Sequence, residues 1–295
     1  MLANHHTLCL RRWTKRAAQI GWSQRVVVAL DNSTLATARL LLAVGAHTSC
    51  AVRFFRSNNA VVAGRERRAA GRMLPVFTGL AKFSVLHLLV AGGHDSITLS
   101  EMDVFWFFAP PWAMGAFSHT TASLLCLDNY PAATQESNAA NIGLIHVRRP
   151  HTADDGFACR FFAHLVTRWR ERLLATAGEV ALVVGEDQLF FNRELRGWPD
   201  EGERTRSFAL LNRSRFANTR LLEAYGRGRY KVPRPTGEVL RLAKAGLPHA
   251  HLEASLVTFH AISVPPIVKM ALLLRLYAGN LTRSKFAKNP WHLLV

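Results

Sequence analysis

Glu101 and Asp103 stand two residues apart inside SITLSEMDVFWFFAPP (96–111), one of the most apolar runs of the chain. An unpaired buried carboxylate is costly, so such a group is kept beside a cation, a metal ion or hydrogen-bond donors. Two carboxylates spaced i, i+2 just past a strand end can hold a hard divalent ion, Mg2+ or Mn2+, which in turn binds a diphosphate. Asp31 offers a third acid in a similar place, directly after the apolar run 25–30. Neither GxGxxG nor GxxxxGK(S/T) occurs, so the dinucleotide and P-loop routes to phosphate binding are unsupported. Cys9, Cys50, Cys126 and Cys159 form no CxxC pair. They read as small, buried, inert side chains, and their spacing fixes no disulfide.

Other residues carry plain readings of their own. Lys82 interrupts the apolar helical pattern LAKFSVLHLLVA (80–91), where an isolated lysine can snorkel to solvent. His260 follows the apolar run 255–259, where a histidine is most often a hydrogen-bonded core residue. His249 and His251, in LPHAHLE, read as loop residues. Glu186 and Asp187 open a helix after Gly185, where acids favour the helix dipole. Gly143 allows close backbone approach.

The elements that must position these groups alternate. The run 25–30, RVVVAL, is a short β-branched stretch of the kind buried on both faces of a sheet. DNST (31–34) offers N-cap side chains, LATARLLLAV reads as a helix stopped by Gly45, and SCAVRFF (49–55) is the next strand, a βαβ unit of about thirty residues. A helix over 80–91 closed by Gly92 and Gly93 leads into the strand SITLS. ASLLCLD (122–128) and NIGLIHV (141–147) are two more strands. Phe157, Phe161, Leu165, Trp169 and Leu173 recur every four residues on an amphipathic helix over 154–178, a core stripe. Strands alternating with helices predict an α/β fold with a doubly wound, mostly parallel sheet flanked by helices, whose ligands sit outside the carboxyl ends of the strands. Asp31, Glu101 and Asp103 would then face one crevice.

Composition sets the frame. The chain has 295 residues, 49% hydrophobic and 19% charged, a balance of globular rather than disordered sequences. Thirty-seven Lys and Arg against twenty Asp and Glu give +17, so its surface attracts polyanions. The excess gathers in RERRAAGR (65–72) and between 193 and 244, yet RERRAAGR lacks interleaved aromatics and no zinc-finger or RRM signature is present, so no specific nucleic-acid partner is expected. No apolar run reaches the roughly 18 residues of a membrane span, and the first residues lack a secretory h-region. The expectation is a cytoplasmic protein or a catalytic piece separated from its targeting segment.

The segment 80–111, LAKFSVLHLLVAGGHDSITLSEMDVFWFFAPP, resembles the central block of the nucleotide-diphospho-sugar transferases, GT-A-type glycosyltransferases of algae and plants that include arabinosyl-, xylosyl- and galactosyltransferases. VVVALDNST (26–34), NIGLIHVR (141–148), GEDQLFFNREL (185–195) and VTFHA (257–261) resemble further blocks of that family in the same order. The resemblance implies a basic N-terminal extension over 1–24, a transferase domain over 25–280 with a single GT-A-like sheet, and a tail over 281–295. It also implies transfer of a sugar from a nucleotide-diphosphate donor, a UDP-sugar, to a hydroxyl of a glycan or glycoprotein, with Mn2+ or Mg2+ as cofactor, retention of anomeric configuration, and the Golgi lumen as the compartment. By the same resemblance Asp103 and His260 ligate the metal, and Glu101 contacts metal or ribose. Glu101 departs from the family's usual Asp, which lengthens that arm by one methylene. Asp31, Lys82 and Lys269 would serve the donor nucleotide and its diphosphate, although Lys269 lies farther from His260 than the family's spacing. Asn141 and Gly143 would shape the donor pocket. Asp187 would bind sugar hydroxyls and Gln188 face the anomeric carbon, the two acting as catalytic residues. Two rival readings stay open, an inactive transferase-like glycan-binding protein and a basic nucleic-acid-binding protein.

Overall fold

The computed structural model describes residues 10, 13–15, 17, 19, 25–29, 49–53, 79–106, 120–129, 139–148, 156–175, 186–212, 216–218 and 258–260. Strand β1 (Arg25–Ala29) pairs in parallel with β2 (Ser49–Arg53), Arg25 opposite Ser49 and Ala29 opposite Arg53. Parallel neighbours need a crossover of a dozen or more residues, and the span between them is long enough. The helix expected within it, with Asp31, lies outside the described residues.

The remaining strands build two mixed sheets. β3 (Ser96–Ser100), β6 (Ala140–Arg148), β5 (Leu124–Asp128) and β7 (Phe208–Leu210) lie side by side in that order. β6 runs antiparallel to both β3 and β5, and β7 runs parallel to β5. The other sheet has the order β4 (Val104–Trp106), β9 (Thr258–His260), β8 (Phe216–Asn218). There β9 is antiparallel to β4 and parallel to β8. The fold is therefore mixed α/β, and among the described residues the mostly parallel, doubly wound layout gives way to antiparallel pairing at the centre. β5 and β6 follow one another in the chain and pair as antiparallel neighbours, Leu124 opposite Val147 and Asp128 opposite Ala140.

Among the described residues the helices beside the sheets include α1 (79–91), α2 (Phe157–Ala175), α3 (Glu186–Arg196) and α4 (Glu201–Ser207). None among the described residues is long and apolar enough to cross a membrane. α1 ends as its two glycines predict. Gly93 takes φ 79°, its N–H donates to Val90 O at 3.0 Å, and His94 N–H donates to Leu89 O at 3.3 Å. This paired closure needs a left-handed residue, which glycine adopts without steric cost. α2 buries Phe157, Phe161, Leu165 and Trp169 at its i, i+4 spacing; the Leu173 side chain lies outside the description. α4 opens on Asp200, whose side chain accepts from Glu203 N–H at 2.7 Å.

The central sheet is buried on both faces. Leu124 and Cys126 pack with Phe83 of α1, Phe161 of α2 and Phe191 of α3. Their neighbours Leu125 and Leu127 pack on the opposite face with Val104, Trp106 and Phe216 of the second sheet. This is why LLCL reads as a continuous apolar run rather than an alternating one. Burial pushes the Cys126 thiol well above its ordinary range, as an inert core cysteine requires.

Candidate metal centre

The two sheets meet at Glu101. The β3–β6 ladder continues one bond beyond Ser100, with Glu101 N–H donating to Gly143 O at 2.8 Å. The chain then reverses, Val104 N–H donating to Glu101 O at 3.1 Å. That four-residue turn hands the chain from the central sheet to β4, and Glu101 and Asp103 are its first and third residues. A brace crosses the turn, because Trp106 Nε1 donates to Ser100 Oγ at 3.0 Å. β4 in turn pairs with β9 so that Val104 lies opposite His260. Register therefore delivers the imidazole beside Asp103.

His260 Nε2 lies 3.2 Å from Asp103 Oδ1 and 3.6 Å from Glu101 Oε2. One ligand atom from each of the three residues falls within 4.8 Å of the others. Neighbouring ligands of a hard octahedral ion, each bound at about 2.1 Å, stand about 3 Å apart, so this spacing fits one divalent ion. Two carboxylates and an imidazole are a donor set that Mn2+ accepts. The His260 side chain is 3% exposed, whereas that of Glu101 is 31% exposed, so the cluster is closed behind the imidazole and open at the carboxylates. Gly143 makes the arrangement possible: a Cβ there would lie 2.2 Å from His260 Cε1, closer than non-bonded atoms approach. The imidazole packs on the bare backbone of β6.

Lys82 joins this cluster to α3. Its ammonium bridges the Glu101 carboxylate and Asp187 Oδ2, the latter at 2.8 Å, with the lysine side chain 10% exposed. It does not snorkel. Asp187 also accepts from Gln188 N–H through Oδ1 at 2.9 Å, as an acid in a first helical turn can. Gln188 is half-buried beside it. Asn141 is buried, and its amide serves the sheet: Oδ1 accepts from Gly143 N–H at 2.9 Å, and Nδ2 donates toward Asn129 Oδ1 at 3.4 Å. Asn141 thereby fixes the strand backbone under His260.

Electrostatics follow from this packing. Burial alone would lower the Lys82 pKa, but Glu101 and Asp187 more than reverse it and hold the ammonium above its ordinary value. Burial alone would raise Glu101; Lys82 and then His260 bring it below the usual carboxylate range. Burial opposes protonation of His260 as well, and Asp103 followed by Glu101 outweighs it, so the imidazole titrates above its ordinary value. With imidazole neutral, one cation (Lys82) faces three anions (Glu101, Asp103, Asp187). The net of two negative charges is the complement of a divalent ion.

Of the sequence-predicted residues, Lys82, Glu101, Asp103, Asp187 and His260 converge, Gly143 and Asn141 support them, and Gln188 adjoins. Asp31 and Lys269 lie outside the described residues, as do His249 and His251. Sequence reasoning missed Asn192, whose buried amide ties α3 to β6. It also passed over Trp106 as a brace, although the spacing of Asp103-Val-Phe-Trp106 marks it.

No family model and no curated protein matches the chain in sequence. Among solved structures it is similar to the crystal structure of mouse xyloside xylosyltransferase 1 in its apo form, at 10% identity and a TM-score of 0.41, over 87% of this chain and 94% of that one. A TM-score of 0.41 is too low to carry fold or function across.

Proposed function

We propose that this protein is a glycosyltransferase that moves a sugar from a nucleotide-diphosphate donor, a UDP-sugar, to an acceptor hydroxyl on a glycan or glycoprotein, with a divalent ion as cofactor. One observation carries the reading: Glu101, Asp103 and His260 share a locus beside a buried lysine that also grips Asp187. Asp103, His260 and Glu101 would hold Mn2+ or Mg2+. When bound, that ion would offset the charge that builds on the departing diphosphate.

The chain's own groups supply the rest. Lys82 adds a fixed positive charge at the cluster and orients Asp187. Asp187 accepts hydrogen bonds from sugar hydroxyls, and Gln188 lies along the face of the anomeric carbon. By resemblance, Asp31 and Lys269 serve the nucleotide and its diphosphate, while Asn141 and Gly143 floor the pocket. A bond forms between the acceptor oxygen and the anomeric carbon on the face from which the diphosphate departs. The breaking bond's electron pair leaves with the diphosphate, and a phosphate oxygen takes the acceptor's proton. Configuration is retained.

The test is a nucleotide-sugar panel assayed with and without Mn2+, together with calorimetry of UDP. Asp103→Asn is expected to abolish Mn2+-dependent UDP binding while leaving the fold intact. Unchanged metal-dependent affinity in that variant would overturn the assignment. Asp187→Ala should lower turnover strongly with UDP affinity little changed, because interactions made chiefly in the transition state appear in kcat. Turnover within twofold of wild type would remove Asp187 from the sugar site.

A further inference from the structure

The first turn of α3 carries Asp187 and Gln188, and one buried side chain holds that turn in place. Asn192 Oδ1 accepts from Ala140 N–H at 2.9 Å, and its Nδ2 donates to Ala140 O at 2.8 Å. The same Nδ2 donates to Gln188 O, also at 2.8 Å. The asparagine side chain thus bonds both backbone groups of the residue that opens β6, as a neighbouring strand would, while gripping the helix one turn earlier. The residue is 3% exposed, and Ala140 is directly followed by Asn141, two residues before Gly143. We propose that Asn192 is a positioning residue, setting the Asp187–Gln188 end of α3 against the strand that floors the metal cluster and so fixing the reach from Asp187 to Lys82. Its bearing on catalysis rests on the transfer reading above.

The chemistry is specific to an amide of this length. Ala140 N–H needs an acceptor, and the two carbonyls need a donor. Aspartate has the right shape but would turn an oxygen toward both carbonyls. Glutamine is longer by a methylene and would push helix and strand apart. A displacement near 1 Å at a reacting group can cost about a hundredfold in rate.

The experiment compares wild type with Asn192→Asp, and with Asn192→Ser should the charged variant not fold. Four quantities are read: donor kcat, donor KM, Mn2+ affinity by calorimetry, and the 15N signal of the Lys82 ammonium, which its buried ion pairs should protect from solvent exchange. The expected result is a fall in kcat of tenfold to a hundredfold, with KM and Mn2+ affinity within twofold, and a shifted or exchange-broadened Lys82 signal. A folded variant with wild-type kcat and an unmoved Lys82 signal would overturn the proposal. A parallel loss of kcat, KM and Mn2+ affinity that tracks lost stability would overturn it too, by showing a general structural role. If the wild-type protein turns over no nucleotide sugar, the transfer reading falls alone, and the Lys82 signal by itself decides whether Asn192 sets the position of Asp187.

Discussion

Lys82 is a residue whose neighbours decide its meaning. On an apolar helix face it would ordinarily be an intruder, yet two carboxylates from different elements close on it. Removing one member of a buried pair is worse than never having built it, because the partner stays behind as an uncompensated charge. Lys82→Met is therefore expected to cost about 3 kcal/mol of stability, the lower end of the range for such pairs, since His260 still faces Glu101. Urea titration measures it. Adding Asp187→Asn to that variant should restore part of the loss, and a double-mutant cycle that shows no coupling would contradict the bridge.

At the scale of elements, α1 owes its end to one backbone conformation. Gly93→Ala forces a side chain into the left-handed region at φ 79°. It should cost about 1–2 kcal/mol in thermal unfolding while leaving Mn2+ affinity unchanged. That terminus was legible in the sequence, as were β3, the β6 core and the aromatic stripe of α2, because each has a period or a stop signal of its own. The strands β4, β7, β8 and β9 were not. Three residues contain too few repeats to show a period, and pairing alone defines them. The sheet was legible only in part: LLCL announces a buried strand but not its direction, because an apolar run has the same pattern in parallel and antiparallel pairing. In the site, acid-x-acid and the lone lysine were legible as residues needing partners. Their mutual contact was not, since only the β4–β9 register places His260 against Asp103. Asn192 left no trace because a buried amide that caps a strand looks, in sequence, like any polar residue on a helix.

Across the whole molecule, acid stability should carry the mark of His146. Its ring is fully buried on β6, with Nδ1 2.9 Å from Thr98 Oγ1. Burial first, and then Arg148, lower its pKa to about 3. An unfolded imidazole titrates near 6.5. Between those values the unfolded chain takes up a proton that the native one refuses, so stability is lost as pH falls from about 6.5 toward 3, at up to about 1.4 kcal/mol per pH unit. Above about 6.5 this contribution is flat. Urea midpoints measured over that interval should slope less in His146→Gln than in wild type, by about one proton; equal slopes would show that the ring is already charged in the native state. A different property follows from the turn at Glu101–Val104, which joins a sheet finished early to one finished late. The described strands of the central sheet have all been synthesised by Leu210, while β9 with His260 comes only at Thr258–His260. In a chain emerging from the ribosome the two carboxylates therefore precede their imidazole, and until β9 docks Lys82 is the cation that meets the charge of Glu101. Among the described residues the strand made last is the one that completes the Glu101–Asp103–His260 cluster, so the order of synthesis separates folding of the central sheet from assembly of the cluster.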